Sequence, residues 1–218
     1  MNFLAAVLDF FLHIDTHIGA VIAQYGTWTY AIMFLVIFCE TGLVVTPVLP
    51  GDSLLFTLGA FAAQGALNWW VLVVILFFAV VLGDNTNYWI GYHIGPKIFS
   101  GKKIPWLNIK HLEETQRFYE RHGGKTIILA RFIPIIRTFA PFVAGIGRMP
   151  YSRFLLFSLS GGLGWITIGI GAGYLFGNIP AVQDNFTLVL VGIVVISLLP
   201  AMIKYWQHRR RSTQQRLV

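Results

Sequence analysis

Four charged side chains lie within or beside long apolar stretches of the sequence: Glu40, Asp52, Arg131 and Arg137. An arginine or aspartate at the centre of a membrane-inserted helix costs about 2.5–3.5 kcal/mol. These residues must therefore pair with one another, contact water or, for the two acids, take up a proton. Arginine binds phosphate through several planar donors, and an acid in an apolar site readily keeps its proton. The four residues predict an anion site, with Arg131 and Arg137 binding phosphate and Glu40 and Asp52 gating it or carrying protons.

A structural interpretation of the same residues is that they form buried ion pairs that join two segments of the chain. Such pairs are weak evidence for stabilisation, because apolar replacements often stabilise a protein equally well. A third acid, Asp84, has no arginine assigned to it and stands beside Asn85 and Asn87. This group either lines a polar path or relays protons, or it makes ordinary hydrogen bonds between helices. The sequence leaves both interpretations open.

The composition indicates that these charges lie in a membrane. Hydrophobic residues make up 56% of the 218 residues, charged residues make up 11%, and the mean hydropathy is +0.68. Soluble domains carry about 25% charged residues. Basic residues outnumber acidic ones by 16 to 9, and they flank the apolar segments as they do in cytoplasmic loops. That placement argues against a nucleic-acid-binding surface.

Processing and redox signals are sparse. The N-terminus lacks the basic region and the small-residue cleavage site of a signal peptide, so we predict no cleaved leader. The only cysteine is Cys39, so a disulfide within one chain is excluded. Before the first long apolar stretch, Asp9, His13 and His17 share one face of a segment whose other face is apolar. This pattern predicts an amphipathic helix that lies in the membrane interface.

The first charged segment has the pattern of a re-entrant hairpin, which enters the membrane and returns to the same side. A long apolar stretch, 28–45, contains Glu40 and runs into Pro47, Pro50 and Gly51, which cannot continue a helix. The apolar stretch that follows, 53–63, is shorter than the roughly 20 residues of a full span. Irregular backbone at membrane depth is tolerated only where it is buried in protein or lines a cavity.

The second charged segment repeats this pattern. Residues 131–141 carry Pro134 and Pro141, which are expected to mark the second hairpin tip. Each arm of about nine residues reaches about 14 Å, half of a roughly 30 Å hydrocarbon core. A longer apolar segment follows each hairpin.

We therefore predict an all-α integral membrane protein built as one domain, 1–218, from an inverted repeat of a re-entrant hairpin plus a transmembrane helix. The predicted segments are an amphipathic helix (1–25), the first hairpin and span (28–95), a cytoplasmic or interfacial connector (96–124), the second hairpin and span (126–177), the last span (184–207) and a basic cytoplasmic tail (208–218). With the tail in the cytoplasm, the first hairpin enters from outside and the second from inside. Inverted repeats with broken helices that meet near the midplane are typical of transporters.

Signatures of enzymes are missing from the sequence. It has no H-E-x-x-H, no G-x-S-x-G and no glycine-rich phosphate loop ending in Lys-Ser/Thr. His93 is the only histidine near membrane depth, and no acid–base partner stands beside it. We expect no catalytic activity, no cofactor and no metal site.

Three blocks of residues resemble the signatures of the DedA family. The first is Phe38-Cys39-Glu40-Thr41-Gly42 followed by Pro47-Val48-Leu49-Pro50-Gly51-Asp52, and the second is Gly83-Asp84 through Tyr88 with Gly91 and Gly95. The third is Arg131-Phe132-Ile133-Pro134-Ile135-Ile136-Arg137 with Pro141, Ala144, Gly145 and Met149. The resemblance covers nearly the whole chain. It makes Asp84, Asn85 and Tyr88 candidate supporting residues.

The resemblance implies a flippase of the bacterial inner membrane that depends on the proton-motive force and returns undecaprenyl phosphate, or a related phospholipid, to the cytoplasmic leaflet. It also implies that Glu40, Asp52, Arg131 and Arg137 are the functional residues. Three alternatives remain at this point: a phosphatidylethanolamine scramblase, a proton-coupled exchanger of a small cation or osmolyte, and a scaffold without transport. Oligomeric state and lipid headgroup are left open.

Overall fold

A computed structural model describes residues 14–43, 51–99, 115–116, 119–120 and 123–196, which contain helices and no strand. We number the helices along the chain. They are α1 (Ile14–Tyr25), α2 (Trp28–Gly42), α3 (Gly51–Ala63), α4 (Trp69–Phe99), α5 (Thr126–Ala130), α6 (Pro134–Ile146), α7 (Tyr151–Phe176), α8 (Pro180–Gln183) and α9 (Phe186–Ile196). The prediction of an all-α fold is confirmed for these residues.

Two of these helices are long and apolar enough to cross a membrane. They are Trp69–Gly95 within α4 and Tyr151–Phe176, which is α7. The predicted first span is therefore helical, and α4 continues four residues beyond its predicted end, to Phe99. Four shorter apolar helices accompany them: Trp28–Gly42, Gly51–Ala63, Ile136–Ile146 and Phe186–Ile196.

Each of the two long helices packs against short helices from both charged segments. Helix α2 packs on α4, and α5 packs on α7. The second helix of each charged segment lies against the long helix of the other, so that α3 packs on α7 and α6 packs on α4. Helices α4 and α7 also contact each other.

Glycines permit the closest of these contacts. A Cβ atom on Gly59 of α3 would meet the carbonyl of Ile170 on α7, and a Cβ on Gly173 of α7 would meet the carbonyl of Phe56 on α3. Helices α4 and α6 approach each other equally closely at Gly91 and Gly145, where a Cβ would also meet a main-chain carbonyl of the other helix. Small residues at a helix interface let the backbones approach, which is how helices associate within a membrane.

The described part of the predicted N-terminal helix is α1, which packs against α2 and α3. Ile14 and Ile18 are buried in the main apolar core, whereas His17 is exposed. One apolar face and one polar face are therefore present in this stretch. Asp9 and His13 lie outside the described residues.

The break in the second charged segment is shorter than predicted. The helix is interrupted only at Arg131, Phe132 and Ile133, and α6 begins at Pro134. Ile133 is extended, with φ −126° and ψ 103°, because a residue before proline avoids the helical region. The prediction that Pro141 marks the tip is wrong, since Pro141 lies inside α6. The arms are also unequal, with 5 residues in α5 and 13 in α6.

Pro141 is accommodated inside a buried helix. A proline there removes one main-chain hydrogen bond, the one that the Arg137 carbonyl would accept. Residues 136–145 of α6 are all buried against the rest of the protein. Tertiary packing of α6 therefore outweighs the local tendency of proline to end a helix.

Several predicted features lie outside the described residues. They are Pro47 and Pro50 of the first tip, most of the connector 96–124, residues 197–207 of the last span and the basic tail 208–218. Gly51, the remaining predicted residue of the first tip, is the first residue of α3.

Candidate functional site

Five charged side chains converge in the interior from five different elements. Glu40 lies in the last turn of α2, Asp52 in the first turn of α3 and Asp84 in the middle of α4. Arg131 follows α5, and Arg137 lies in the first turn of α6. They form two groups, each centred on one arginine, which we call the Arg137 cluster and the Arg131 cluster.

The Arg137 cluster joins α6 to the first charged segment. Arg137 donates from Nη2 to Oε1 of Glu40 and from Nη1 to Oδ1 of Asp52, the latter at 3.2 Å. Trp165 of α7 completes the cluster: its ring centroid lies 4.7 Å from the Arg137 guanidinium carbon, and its Nε1 donates to Oδ1 of Asp52 at 2.7 Å. Arg137 is therefore held by two carboxylates and an aromatic face.

The Arg131 cluster joins the second charged segment to α4 and α7. Arg131 donates from Nη2 to Oδ2 of Asp84 and to the main-chain carbonyl of Ser158, the latter at 3.1 Å. The Ser158 hydroxyl donates to the same Asp84 oxygen at 2.6 Å. Both charged side chains are almost fully buried, with exposed fractions of 3% for Arg131 and 4% for Asp84.

One face of α7 runs past both clusters. Ser158 contacts the Arg131 cluster and Trp165 contacts the Arg137 cluster. These residues are seven positions apart, two helical turns, so the clusters are separated along α7 by about 10 Å. Gly161 lies between them and leaves room for Arg131, whose Nε would lie 2.9 Å from a Cβ at that position. A larger residue at position 161 would push the guanidinium away.

Glycines beside the acids explain why these motifs bring the charges together. Helices α2 and α4 cross where Gly42 meets Gly83; a Cβ on Gly42 would lie 3.2 Å from the Gly83 Cα. Glu40 and Asp84 stand one or two residues from this crossing, so close approach of the backbones places both acids in the interior. Gly51 leaves room for the Glu40 carboxylate, because a Cβ at position 51 would collide with it.

Asn87 connects the two charged segments and lies on the face of α4 that carries Asp84. Its Nδ2 donates to the carbonyl of Thr41 at 3.2 Å and to the carbonyl of Thr138 at 2.6 Å. Thr41 follows Glu40, and Thr138 follows Arg137. Asn87 therefore ties together the backbones that carry the Arg137 cluster.

The two other predicted supporting residues make different contacts. Asn85 donates to the carbonyl of Val81 in its own helix and accepts a hydrogen bond from the Tyr151 hydroxyl at 2.6 Å. Tyr88 donates to the carbonyl of Met149 at 2.6 Å and stacks on Phe154. These contacts join the middle of α4 to the start of α7 and do not reach either arginine.

Glu40 and Asp52 are not divided between the two arginines. Both of those acids pair with Arg137, and Arg131 takes Asp84, to which the sequence assigns no arginine. Sequence reasoning also missed Ser158 and Trp165. Their signal is weak: a serine and a tryptophan at helical spacing, seven residues apart in a glycine-rich span.

Several buried polar atoms in the clusters and in the neighbouring Asn87 have no hydrogen-bond partner among the described residues. They are Nε and Nη1 of Arg131, Nε of Arg137, Oε2 of Glu40 and Oδ1 of Asn87. Buried donors normally find an acceptor, because leaving one unsatisfied costs about 1–3 kcal/mol. The clusters therefore have donors to offer an anion.

Comparison with known proteins agrees with the family signatures. A family model described as the VTT domain matches residues 49–175. Protein DedA of Escherichia coli strain K12 is 50% identical over 216 residues, which cover 98% of this chain and 99% of that protein. Inner membrane protein YghB of the same strain is 33% identical over 190 residues, covering 87% of this chain and 84% of YghB.

A mycobacterium also contains a similar protein. An uncharacterized membrane protein of Mycobacterium leprae is 42% identical over 183 residues, which cover 83% of this chain and 81% of the relative. No solved structure matches the chain.

Proposed function

Because the chain belongs to the DedA family of membrane proteins, whose VTT domain covers residues 49–175, we propose that it is a lipid transporter of the bacterial inner membrane. Its substrate carries a phosphate headgroup, undecaprenyl phosphate or a related phospholipid, and the proton-motive force drives its movement. The inner-membrane location is supported by the name of YghB, the relative described above as an inner membrane protein.

The observation that carries this proposal is the pair of buried arginines with unused donors. Two side-chain nitrogens of Arg131 and one of Arg137 donate to no acceptor among the described residues. A guanidinium suits phosphate because it presents several donors in one plane and keeps its charge at any physiological pH. Charged residues within membrane segments are costly, so they mark transport pathways more often than structural contacts.

The balance of charges supports the coupling to protons. Among the described residues, the two clusters hold three acids, Glu40, Asp52 and Asp84, against the two arginines. With all five ionised, the clusters carry one excess negative charge, which disfavours an incoming anion. One proton on a carboxylate would remove that charge, so proton uptake and phosphate binding would favour each other.

The packing pattern supports the proposed inverted repeat of two re-entrant hairpins. Under the repeat, α2, α3 and α4 correspond to α5, α6 and α7. The observed contacts obey this exchange: α2 with α4 matches α5 with α7, and α3 with α7 matches α6 with α4. In our proposal the hairpins enter from opposite faces, the C-terminus is cytoplasmic and the clusters lie near the midplane, as in transporters with inverted repeats.

The test is lipid movement in proteoliposomes. Purified protein is reconstituted into phosphatidylcholine vesicles that contain undecaprenyl phosphate, and the fraction in the outer leaflet is followed after an imposed pH gradient. We expect gradient-dependent movement by the wild type and its loss in Arg131→Ala and Arg137→Ala. Arg153→Ala, at an exposed position of α7, is the matched control and should behave as wild type. Equal transport by all four proteins would exclude this site.

A second candidate is a proton-coupled exchanger of a small cation or osmolyte. The excess of acids over arginines in the clusters favours it, because the carboxylates would then bind the cation and the arginines would be their counter-ions. In vesicles without a lipid-phosphate substrate, proton flux driven by a gradient of Na⁺, K⁺ or a soluble amine would support this candidate. Absence of flux together with lipid movement would exclude it.

A further inference from the structure

Two hydrogen-bond donors from different elements converge on a single oxygen of Asp52. Arg137 Nη1 lies 3.2 Å from Oδ1, and Trp165 Nε1 lies 2.7 Å from the same atom. Two donors from separate helices, one charged and one neutral, form a cradle for one anionic oxygen. A phosphate oxygen has the same charge preference and accepts hydrogen bonds in the same way.

Asp52 lies at the open side of this cradle. Its side chain is 26% exposed, whereas that of Glu40, the other acid on Arg137, is 1% exposed. Glu40 is also enclosed by the backbone of Gly51. Of the two carboxylates, Asp52 is therefore the one that an incoming anion can reach.

The donors themselves are fixed without Asp52. The Arg137 guanidinium remains paired with Glu40, and it lies over the ring of Trp165, which is 3% exposed. If the Asp52 carboxylate moved aside, the indole N–H would be left buried without an acceptor, which is unfavourable. A second anionic oxygen in the same place would satisfy both donors at once.

We propose that Trp165 is a substrate-binding residue: its indole N–H and Arg137 together bind an oxygen of a phosphate monoester, and the Asp52 carboxylate occupies that place while the site is empty. This inference rests on the proposed function and adds a binding residue and an internal competitor to it. It makes Asp52 the residue that substrate displaces, and it leaves Glu40 in contact with Arg137 throughout.

A double-mutant cycle on binding tests the proposal. The probe is undecaprenyl phosphate in detergent micelles, with undecaprenol as the tail control and inorganic phosphate as a competitor. Trp165→Phe keeps an aromatic ring under Arg137 and removes the N–H. In the Asp52→Asn background, where no carboxylate competes for that N–H, the change should raise the Kd by about tenfold. Asp52→Asn removes the competing charge, so its Kd should fall by several fold. Trp70→Phe, at an exposed position, is the matched control.

The combined variant separates binding from positioning. If the indole N–H contacts phosphate, Trp165→Phe weakens binding more in Asp52→Asn than in the wild type, where the same N–H also holds the carboxylate of the empty site. If the N–H only orients Asp52, its loss has no effect once that carboxylate is gone, and the proposal is overturned. Melting temperatures of the variants show whether each is folded. Should Trp165→Phe fail to fold, an unchanged Kd in Asp52→Asn would still overturn the displacement of Asp52.

Three further outcomes show which part of the proposal fails. Loss of binding in Arg137→Ala, with Trp165→Phe/Asp52→Asn binding as tightly as Asp52→Asn, overturns the role of Trp165 and leaves the proposed function intact. Equal binding of undecaprenyl phosphate and undecaprenol by the wild type overturns both. The third outcome is that inorganic phosphate binds by itself and displaces undecaprenyl phosphate at the same concentration, while the lipid tail adds no affinity. That outcome would assign the cradle to free phosphate and not to a lipid headgroup.

Discussion

Arg131 and Asp84 form a buried ion pair between the end of α5 and the middle of α4, and Ser158 of α7 donates to the same carboxylate. The pair joins residues 47 positions apart in the chain. It links the second charged segment to the long helix that follows the first, so residues of three elements meet at this contact. Removal of either partner would leave a charge in an apolar interior.

The first prediction separates the structural role of this pair from its role in transport. Asp84→Leu leaves Arg131 buried and unpaired, so the free energy of unfolding should fall by about 3–5 kcal/mol. The double variant Asp84→Leu/Arg131→Met replaces both charges by apolar groups and should recover most of that loss without recovering lipid transport. Thermal unfolding in detergent and the vesicle assay measure the two effects.

Thr86→Ala is the control for that prediction, because Thr86 is exposed and its hydroxyl donates to the Leu82 carbonyl within its own helix, α4. It should leave the melting temperature unchanged. A double variant that transports lipid at the wild-type rate would show that the Arg131 cluster is purely structural.

The second prediction concerns the contact between α3 and α7. Gly173→Ala would place a Cβ against the backbone of Phe56, and the Phe56 carbonyl carbon would lie 2.7 Å away. Because the obstacle is a main-chain carbonyl, the helices must separate, and we expect a loss of about 1–3 kcal/mol in stability. Gly164→Ala in the same helix meets nothing within 4 Å and should be neutral or slightly stabilising. Equal melting temperatures for the two variants would contradict the close approach.

The third prediction concerns Asn87. In Asn87→Ala, the carbonyls of Thr41 and Thr138 lose a common donor, which should lower stability by about 1–3 kcal/mol. Asn87→Asp should be worse, since a carboxylate would then face two carbonyl oxygens. Chemical denaturation in detergent ranks the stabilities of the wild type and the two variants. If Asn87→Asp is the more stable of the two, the side-chain nitrogen does not face these carbonyls.

The fourth prediction tests the opposed orientation of the two hairpins. In a Cys39→Ser background, which removes the only native cysteine, single cysteines are placed at four exposed positions: 64, 125, 152 and 183. A membrane-impermeant maleimide should label positions 64 and 183 from outside. Positions 125 and 152 should be labelled only after the membrane is opened.

Labelling of positions 64 and 125 from the same side would contradict the inverted repeat. Protein solubilised in detergent provides the control, because all four cysteines should then react. This experiment reports topology alone, so its result does not depend on the identity of the substrate.

The sequence by itself determined which environment the chain occupies and which residues must form a site. High hydropathy and the placement of basic residues indicate a membrane, and charges within apolar stretches are too costly to be incidental. These are local properties, so they can be read without a fold. The start of α6 at Pro134 is likewise local, because proline has no N–H to donate and fits the first turn of a helix.

Only the tertiary structure decided which charges meet. Arg137 and Glu40 are 97 residues apart, and Trp165 and Asp52 are 113 apart. Their contact depends on where helices cross, which is set by backbone approach at glycines such as Gly42 and Gly83. Packing also decided that Pro141 lies within α6 and that Trp165, one aromatic residue among many, faces Arg137. Such contacts arise from the summed packing of whole helices, so the spacing of residues along the chain does not encode them.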